Sequence, residues 1–121
     1  PKGYYNFMRY IENPFDCPVT RAMSIFGGKW KPIILNCIGE GSLRFGKLNQ
    51  LIPAISNKVL SNELKDLEAL GLIERKKSKV DITKMEYSLS TSGKSLMPVL
   101  HEIASWGNSN EAKKIVSEIV K

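Results

Sequence analysis

The chain has 121 residues, of which 18 are Lys or Arg and 12 are Asp or Glu, giving a formal net charge of +6. This length supports one domain with its own hydrophobic core, while two cysteines and a single histidine lack the ligand set of a zinc site or metal sensor. The positive charge favours an acidic partner, with nucleic acid ahead of an anionic membrane surface.

Membrane and catalytic functions have little support in the sequence. The longest nearly apolar run, Pro32 to Ile38, is interrupted by Asn36 and is too short to cross a bilayer. Gly27-Gly28 lacks the later glycine and the Lys-Ser/Thr pair that a phosphate-binding loop requires. Because no signal peptide is visible, we expect a cytoplasmic protein. Because no catalytic or phosphate-binding motif is found, we expect that it is not an enzyme and needs no cofactor. Its length predicts a single domain over residues 1–121.

The first predicted helix, from Val19 to Phe26, begins beside a cysteine. Pro18 suits the first helical position, which places Cys17 at the cap, where the helix dipole and Arg21 lower the pKa of its thiol. A thiolate there would sense oxidants or electrophiles, and the alternative is a structural cysteine. Cys37 lies on the next apolar helix and is predicted to be an unreactive core thiol.

The segment from Leu43 to Leu89 predicts a short helix, a tight turn, a long amphipathic helix and two strands. Ser56 is the predicted N-cap of the long helix and Gly71 its predicted C-cap. The core face of that helix carries leucines at three- and four-residue steps, namely Leu60, Leu64 and Leu67.

The opposite face of the long helix carries amides, hydroxyls and cations, namely Asn57, Lys58, Ser61, Asn62 and Lys65. Its acidic residues begin only later, so its amino-terminal half suits contact with a polyanionic duplex. The alternative interpretation is an ordinary solvated helix face.

The two predicted strands, Leu72 to Lys77 and Met85 to Ser90, flank a basic loop. From Gly41 to Lys84 there are nine Lys or Arg against five Asp or Glu. A hairpin of this charge suits a minor groove or a phosphate backbone, and the alternative is an edge strand blunted by lysines against aggregation.

Apolar stripes also mark the two helices predicted at the carboxyl end of the chain. Pro98 should kink the first, which starts near Ser92, and the second is too short to be stable alone. Together with the aromatic amino-terminal segment they fit a two-fold partner. The predicted dimerisation residues are Tyr5, Phe7, Ile103, Trp106, Ile115, Val116 and Ile119.

Seven short motifs follow one another through the chain: Asp16-Cys17-Pro18-Val19, Gly27-Gly28-Lys29-Trp30, Leu43-Arg44-Phe45-Gly46-Lys47-Leu48, Ile55-Ser56-Asn57-Lys58-Val59-Leu60, Leu67-Glu68-Ala69-Leu70-Gly71-Leu72-Ile73, Glu86-Tyr87-Ser88-Leu89 and Trp106-Gly107. In order and spacing they resemble the HxlR-type winged helix-turn-helix transcriptional regulators over a core of residues 17–107. The resemblance implies a dimeric bacterial or archaeal DNA-binding protein whose Ser56 helix reads the operator. It also implies that the Lys79 to Lys84 hairpin is the wing, although the family's wing is often proline-rich and this one has no proline. Some members of the family use a cysteine at the amino-terminal motif to sense oxidants, quinones or aldehydes.

We therefore predict a mainly α-helical winged helix-turn-helix protein with a small β-hairpin, acting as a homodimeric repressor on an inverted-repeat DNA operator. Redox or electrophile stress would act through Cys17. The predicted DNA-binding residues are Arg44, Lys47, Ser56, Asn57, Lys58, Ser61, Asn62, Lys65, Lys79 and Lys84. The alternative is a winged-helix module that binds an acidic protein, and a steep salt dependence of duplex binding would distinguish the two.

Overall fold

A computed structural model describes residues 12–120 and shows a mainly helical chain with three short strands in that range. A 3-10 turn at Pro14–Asp16 precedes α1 (Pro18–Phe26), α2 (Lys31–Ile38), β1 (Ser42–Arg44), α3 (Phe45–Leu51), α4 (Asn57–Ala69), β2 (Ile73–Lys77), β3 (Met85–Leu89), α5 (Thr91–Ser95), α6 (Met97–Gly107) and α7 (Asn110–Ile119). None of the helices in this part of the chain is long and apolar enough to cross a membrane.

The strands form an antiparallel sheet in the order β1-β3-β2, in which Tyr87 pairs with Leu43 on one side and Arg75 on the other. The predicted β2–β3 hairpin is confirmed. The third strand was not predicted, because β1 has only three residues and is formed by its pairing with β3. Across that pairing, Ser42 Oγ donates a hydrogen bond of 2.6 Å to Glu86 Oε2.

The hydrophobic core lies where α2, α3 and α4 meet. Its fully buried side chains are Ile34, Leu35, Leu48, Leu60 and Leu67. Burying a side chain of this size contributes about 1.5–3 kcal/mol. The predicted apolar face of α4 is confirmed, since Leu64 is buried beside Leu60 and Leu67.

Both ends of α4 are fixed by local hydrogen bonds. Ser56 is the N-cap, as predicted, and its Oγ accepts from the Val59 N–H at 3.1 Å. At the other end the C-cap is Leu70 and not the predicted Gly71. Gly71 follows with φ +76, and the amide of Leu72 donates back to the Leu67 carbonyl at 3.0 Å. The prediction was one residue late because the glycine occupies the left-handed position just beyond the cap.

The carboxyl-terminal helices run differently from the single kinked helix expected near Ser92. Leu96 ends α5 and caps α6, and Pro98 sits in the first turn of α6, where its missing N–H costs no helical hydrogen bond. Ser109 Oγ caps α7 by accepting from the Ala112 N–H at 3.1 Å. Ala112 is the one residue of α7 that is buried.

Candidate nucleic-acid interface

The polar side of α4 is open to solvent near its amino end. Asn57, Lys58, Asn62 and Lys65 are exposed and Ser61 is half-buried. Asn57 Oδ1 accepts a hydrogen bond from Asn49 Nδ2, which leaves the Asn57 amide group able to donate. The oxygen of Ser56 accepts the hydrogen bond that caps the helix, and its hydroxyl proton stays available to donate to a ligand.

Asn49, on α3, was not anticipated from the sequence. Its contact with Asn57 spans the turn between α3 and α4, and nothing in the spacing of the two residues indicated it. The bond orients the Asn57 side chain at the first residue of α4.

The acidic residues of α4 are engaged with cations from other elements. Lys31 Nζ lies 2.9 Å from Glu63 Oε2 and 3.5 Å from Asp66 Oδ2. The hydrogen bond to Glu63 raises the pKa of Lys31. Arg75 Nε lies 3.6 Å from Glu68 Oε2. These contacts offset the negative charge of the carboxyl half of α4.

The wing, residues 78–84, is ordered by two side chains. Ser78 is buried, and its Oγ accepts from the backbone N–H groups of Val80 and Asp81, each at 3.2 Å. Asp81 Oδ1 accepts from the Thr83 N–H at 3.0 Å and from Thr83 Oγ1 at 2.6 Å. These bonds to Thr83 lower the pKa of Asp81. Hydrogen-bonded turns thus shape a wing that contains no proline.

Two groups of cations can be separated along the hairpin. On the edge strand β2, Arg75 contacts Glu68, and Lys76 Nζ lies 3.0 Å from Glu74 Oε2. Both fit the alternative interpretation of a protected edge. Lys79 and Lys84, in the wing, are exposed and form no salt bridge with another described residue.

A cleft of about 650 Å³ separates the start of α3 from the wing. It brings together three predicted DNA-binding cations, Arg44, Lys47 and Lys84. The other lining residues were not predicted from the sequence to belong to a site, and they are Phe45, Gly46, Gln50, Thr83, Met85 and Tyr87.

The two cysteines lie in contrasting surroundings. Cys17 is the N-cap of α1, and the nearby backbone amides of Thr20 and Val19 lower the pKa of its thiol, with a smaller effect from the charge of Arg21. The Arg21 guanidinium itself donates to the Phe15 carbonyl at 2.7 Å. Burial raises the pKa of the Cys37 thiol, which packs against the core.

The predicted dimerisation residues on α6 and α7 are exposed apolar side chains, namely Ile103, Trp106, Ile115, Val116 and Ile119. Tyr5 and Phe7 lie outside the described residues. Three further exposed apolar residues lie on or beside α1 and were not among the predicted dimerisation residues, namely Phe15, Val19 and Met23. Pairing of two chains stays a prediction.

Within residues 12–120, no three His, Cys, Asp or Glu side chains are grouped so as to hold a metal ion. His101, the single histidine of the chain, is exposed on α6.

The order α3, turn, α4 and β2–β3 hairpin defines a winged helix-turn-helix domain. The sequence model of the HxlR-like helix-turn-helix family matches residues 25–115. The uncharacterized HTH-type transcriptional regulator BH0655 of Halalkalibacterium halodurans is 39% identical over 102 residues, which cover 84% of this chain and 90% of that protein. The chain therefore belongs to the HxlR-like helix-turn-helix family and is a transcriptional regulator of the helix-turn-helix type, as its motifs indicated.

Two solved structures have the same fold. The redox regulator HypR in its oxidized form is 35% identical, with a TM-score of 0.71 over 78% of this chain and 97% of that one. Quinone-bound YodB from Bacillus subtilis is 32% identical, with a TM-score of 0.63 over 76% of this chain and 98% of its own.

Proposed function

We propose that this protein is a homodimeric repressor in which α4 reads base edges in the major groove while the wing contacts the adjacent backbone. The main support is the charge distribution along α4. Lys58, Asn62 and Lys65 are exposed, whereas Glu63 and Asp66 are paired with Lys31. A duplex thus meets donors and cations at the amino half of the helix, and the acids behind them are partly neutralised.

The predicted DNA-binding side chains fall into two groups, those suited to base edges and those suited to phosphates. The amides of Asn57 and Asn62 can contact an adenine through two hydrogen bonds, and Lys58 can donate to a guanine. Arg44, Lys47, Lys79 and Lys84 suit phosphates, which fix register without reading sequence.

The test is a titration of the protein with duplexes selected from random DNA under reducing conditions. Asn62→Ala should reduce discrimination between the selected site and its mismatched versions by about 1–3 kcal/mol. Lys79→Ala should weaken all duplexes alike and reduce the salt slope by about 1. Lys94→Ala, at an exposed position on α5 outside both the proposed DNA interface and the proposed dimer faces, is the matched control.

If neither Lys58→Ala nor Asn62→Ala alters duplex binding, α4 is not the reading helix. A flat dependence of affinity on salt would instead favour the acidic protein partner, because neutralising phosphates releases counterions.

Dimerisation is proposed from the exposed apolar faces of α6 and α7. Ile103 and Trp106 on α6 are 48% and 61% exposed, and three residues of α7 are similarly open. A two-fold pair of α4 helices would recognise an inverted repeat whose half-sites lie about one helical turn, or a multiple of it, apart.

Sedimentation should give about twice the 13.6 kDa mass of one chain. Ile103→Glu should shift the protein to the single-chain mass, because pairing would bury the new charge. Val80→Glu is the control: it introduces the same charge at an exposed apolar residue of the wing, and it should leave the sedimenting mass unchanged. A wild-type protein that sediments only as single chains at micromolar concentration would contradict the dimer.

We further propose that Cys17 makes the regulator responsive to electrophiles. The amides at the start of α1 favour its thiolate, and two similar proteins are described as a redox regulator and as a quinone-bound regulator. In the proposed step the thiolate sulfur adds to a ring carbon of a quinone, forming a C–S bond. The electron pair of the ring C=C bond moves to the quinone oxygen, which takes a proton from solvent. The proton on the ring carbon that bears sulfur then shifts to the second oxygen, which gives the hydroquinone adduct.

Operator binding is titrated before and after quinone treatment in wild type and in Cys17→Ser. The wild type should change its affinity and the variant should not. Equal responses in both proteins, or none in either, would contradict sensing by Cys17 while leaving DNA binding intact.

A further inference from the structure

The cleft between α3 and the wing combines an apolar floor with a basic rim. Phe45, Met85 and Tyr87 are half-buried, whereas Arg44, Lys47 and Lys84 are exposed around the opening. No carboxylate is among its lining residues. Its volume of about 650 Å³ lies within the range of sites that hold small molecules, about 300–1,000 Å³.

The cations on the rim keep donors available for a ligand. None of the three forms a salt bridge with another residue in the described part of the chain. The charge of Arg44 reaches Asp81 and Glu86, yet those carboxylates accept their hydrogen bonds from Thr83 and Ser42. The guanidinium therefore retains its paired donors, which match the two oxygens of a carboxylate.

We propose that this cleft binds a planar aromatic carboxylate and that the bound compound and operator DNA exclude each other. The ring would lie on the floor, against the two aromatic side chains and the Met85 sulfur. The carboxylate would meet Arg44 at the rim, with Lys84 beside it. The exclusion rests on the proposed function, and the binding site itself does not.

Two features predict that the ligand and DNA cannot bind at the same time: both would use the same cations, and the cleft lies beside the reading helix. The rim cations are those assigned to phosphates in the proposed complex, so an anion in the cleft competes for them. Tyr87 also lines a second cavity of about 80 Å³ together with Ser61 and Lys65 of α4. One side chain thus borders both the ligand site and the reading helix. By thermodynamic linkage, bound DNA must lower the affinity of the protein for the ligand by the same factor as the bound ligand lowers its affinity for DNA.

Gly46 gives a way to close the cleft without disturbing the fold. It lines the cleft within α3, its φ is not positive, and a Cβ built there meets no atom within 4 Å. Gly46→Leu should fill the cleft and keep or raise the thermal stability, since glycine is a poor helix former. The variant therefore separates loss of binding from loss of structure.

The first experiment is calorimetric titration of the DNA-free protein with 2-naphthoate. Wild type should bind it, Lys84→Ala should bind about tenfold more weakly, and Gly46→Leu should lose binding by more than about tenfold. Lys94→Ala should match wild type. The neutral alcohol 2-naphthalenemethanol should bind about tenfold more weakly than 2-naphthoate.

Absence of 2-naphthoate binding to wild type, or unchanged binding in Gly46→Leu, would overturn the site. Inorganic phosphate that binds as tightly as 2-naphthoate would reveal a plain anion site and overturn the aromatic assignment.

The second experiment titrates operator DNA with and without saturating 2-naphthoate. Because exclusive binding weakens DNA binding in proportion to the ligand added, the apparent affinity of wild type for DNA should fall about tenfold when the compound is present at about nine times its own Kd, and further above that. The apparent affinity of Gly46→Leu should not respond to the compound. Unchanged DNA affinity in the ligand-saturated wild type would overturn the exclusion. Failure to bind DNA without any ligand would count against the proposed function alone, since the first experiment needs no DNA.

Discussion

Lys31 Nζ donates a hydrogen bond of 2.9 Å to Glu63 Oε2, joining the first residue of α2 to the middle of α4. Both side chains are about one-fifth exposed, at 19% and 21%. The contact spans 32 positions of sequence, and it orients α4 against the helix that carries much of the core. It therefore serves both the stability of the domain and the charge balance of the proposed DNA-binding surface.

Replacing Lys31 with Met should lower the free energy of unfolding by about 1–2 kcal/mol, because the variant loses a charge-assisted hydrogen bond. The hydrogen bond to Glu63 raises the pKa of Lys31. Its contribution is thus complete below the ordinary lysine pKa of about 10.4 and is lost as the pH rises through the higher folded value. Urea unfolding of both proteins should show a constant difference from about pH 7 to about pH 9, and a smaller one above the folded pKa.

Lys65→Met is the matched control, since Lys65 is an exposed cation of α4 without a salt bridge to another described residue. If Lys65→Met lowered the free energy of unfolding as much as Lys31→Met, the contact between Lys31 and Glu63 would not be the source of the stability.

Replacing Asp81 with Ala should loosen the wing, because both hydrogen bonds from Thr83 are lost. These bonds lower the pKa of Asp81, so they act above the ordinary value of about 3.9 and weaken as the pH falls through the folded pKa. Hydrogen exchange at the Thr83 amide should be faster in the variant. Thr83→Val removes the hydroxyl bond alone and should give an intermediate rate. Equal exchange in wild type and Asp81→Ala would show that Ser78 alone orders the wing.

Iodoacetamide should modify Cys17 well before Cys37 at neutral pH. The thiolate is the reactive form, and the pKa is lowered at Cys17 and raised at Cys37. Peptide mass spectrometry of samples quenched over time measures both rates. The Cys17 rate should reach half its maximum below the ordinary cysteine pKa of about 8.5. Modification of Cys37 first would contradict this ordering.

Replacing Gly93 with Ala should destabilise the domain by about 1–3 kcal/mol, because a well-packed site has no room for the methyl group. A Cβ at this position would lie 2.1 Å from the Leu72 carbonyl oxygen, where α5 packs on the chain entering β2. Thermal unfolding measures the effect. Gly107→Ala, whose Cβ meets nothing within 4 Å, should leave the stability unchanged or slightly higher. Equal stability of the two variants would contradict this close approach.

Sequence periodicity predicted the elements whose signals are local. The cap at Ser56, the leucine face of α4 and the β2–β3 hairpin all depend on neighbours within a few residues. Strand β1 carries no such signal, because three residues are too few for an alternating pattern and the strand forms by pairing with a distant segment.

In the candidate site, too, local features could be predicted from the sequence and features that depend on tertiary contacts could not. Exposed cations and amides on α4 could be named from helical spacing, but the cleft could not, because α3 and the wing meet only in the folded chain. The contacts of Lys31 with Glu63 and of Asn49 with Asn57 likewise depend on how helices cross.

Helix α7 has ten residues and buries one side chain, that of Ala112. A helix this short is marginally stable by itself, so in a solitary chain it is held by little free energy and opens readily. Opened backbone is what proteases cut. The proposed pairing of two chains would cover the same helix, and solitary copies would then be degraded faster than paired ones. The amount of this regulator in a cell would thus be adjusted by its own assembly, without any separate signal for its removal.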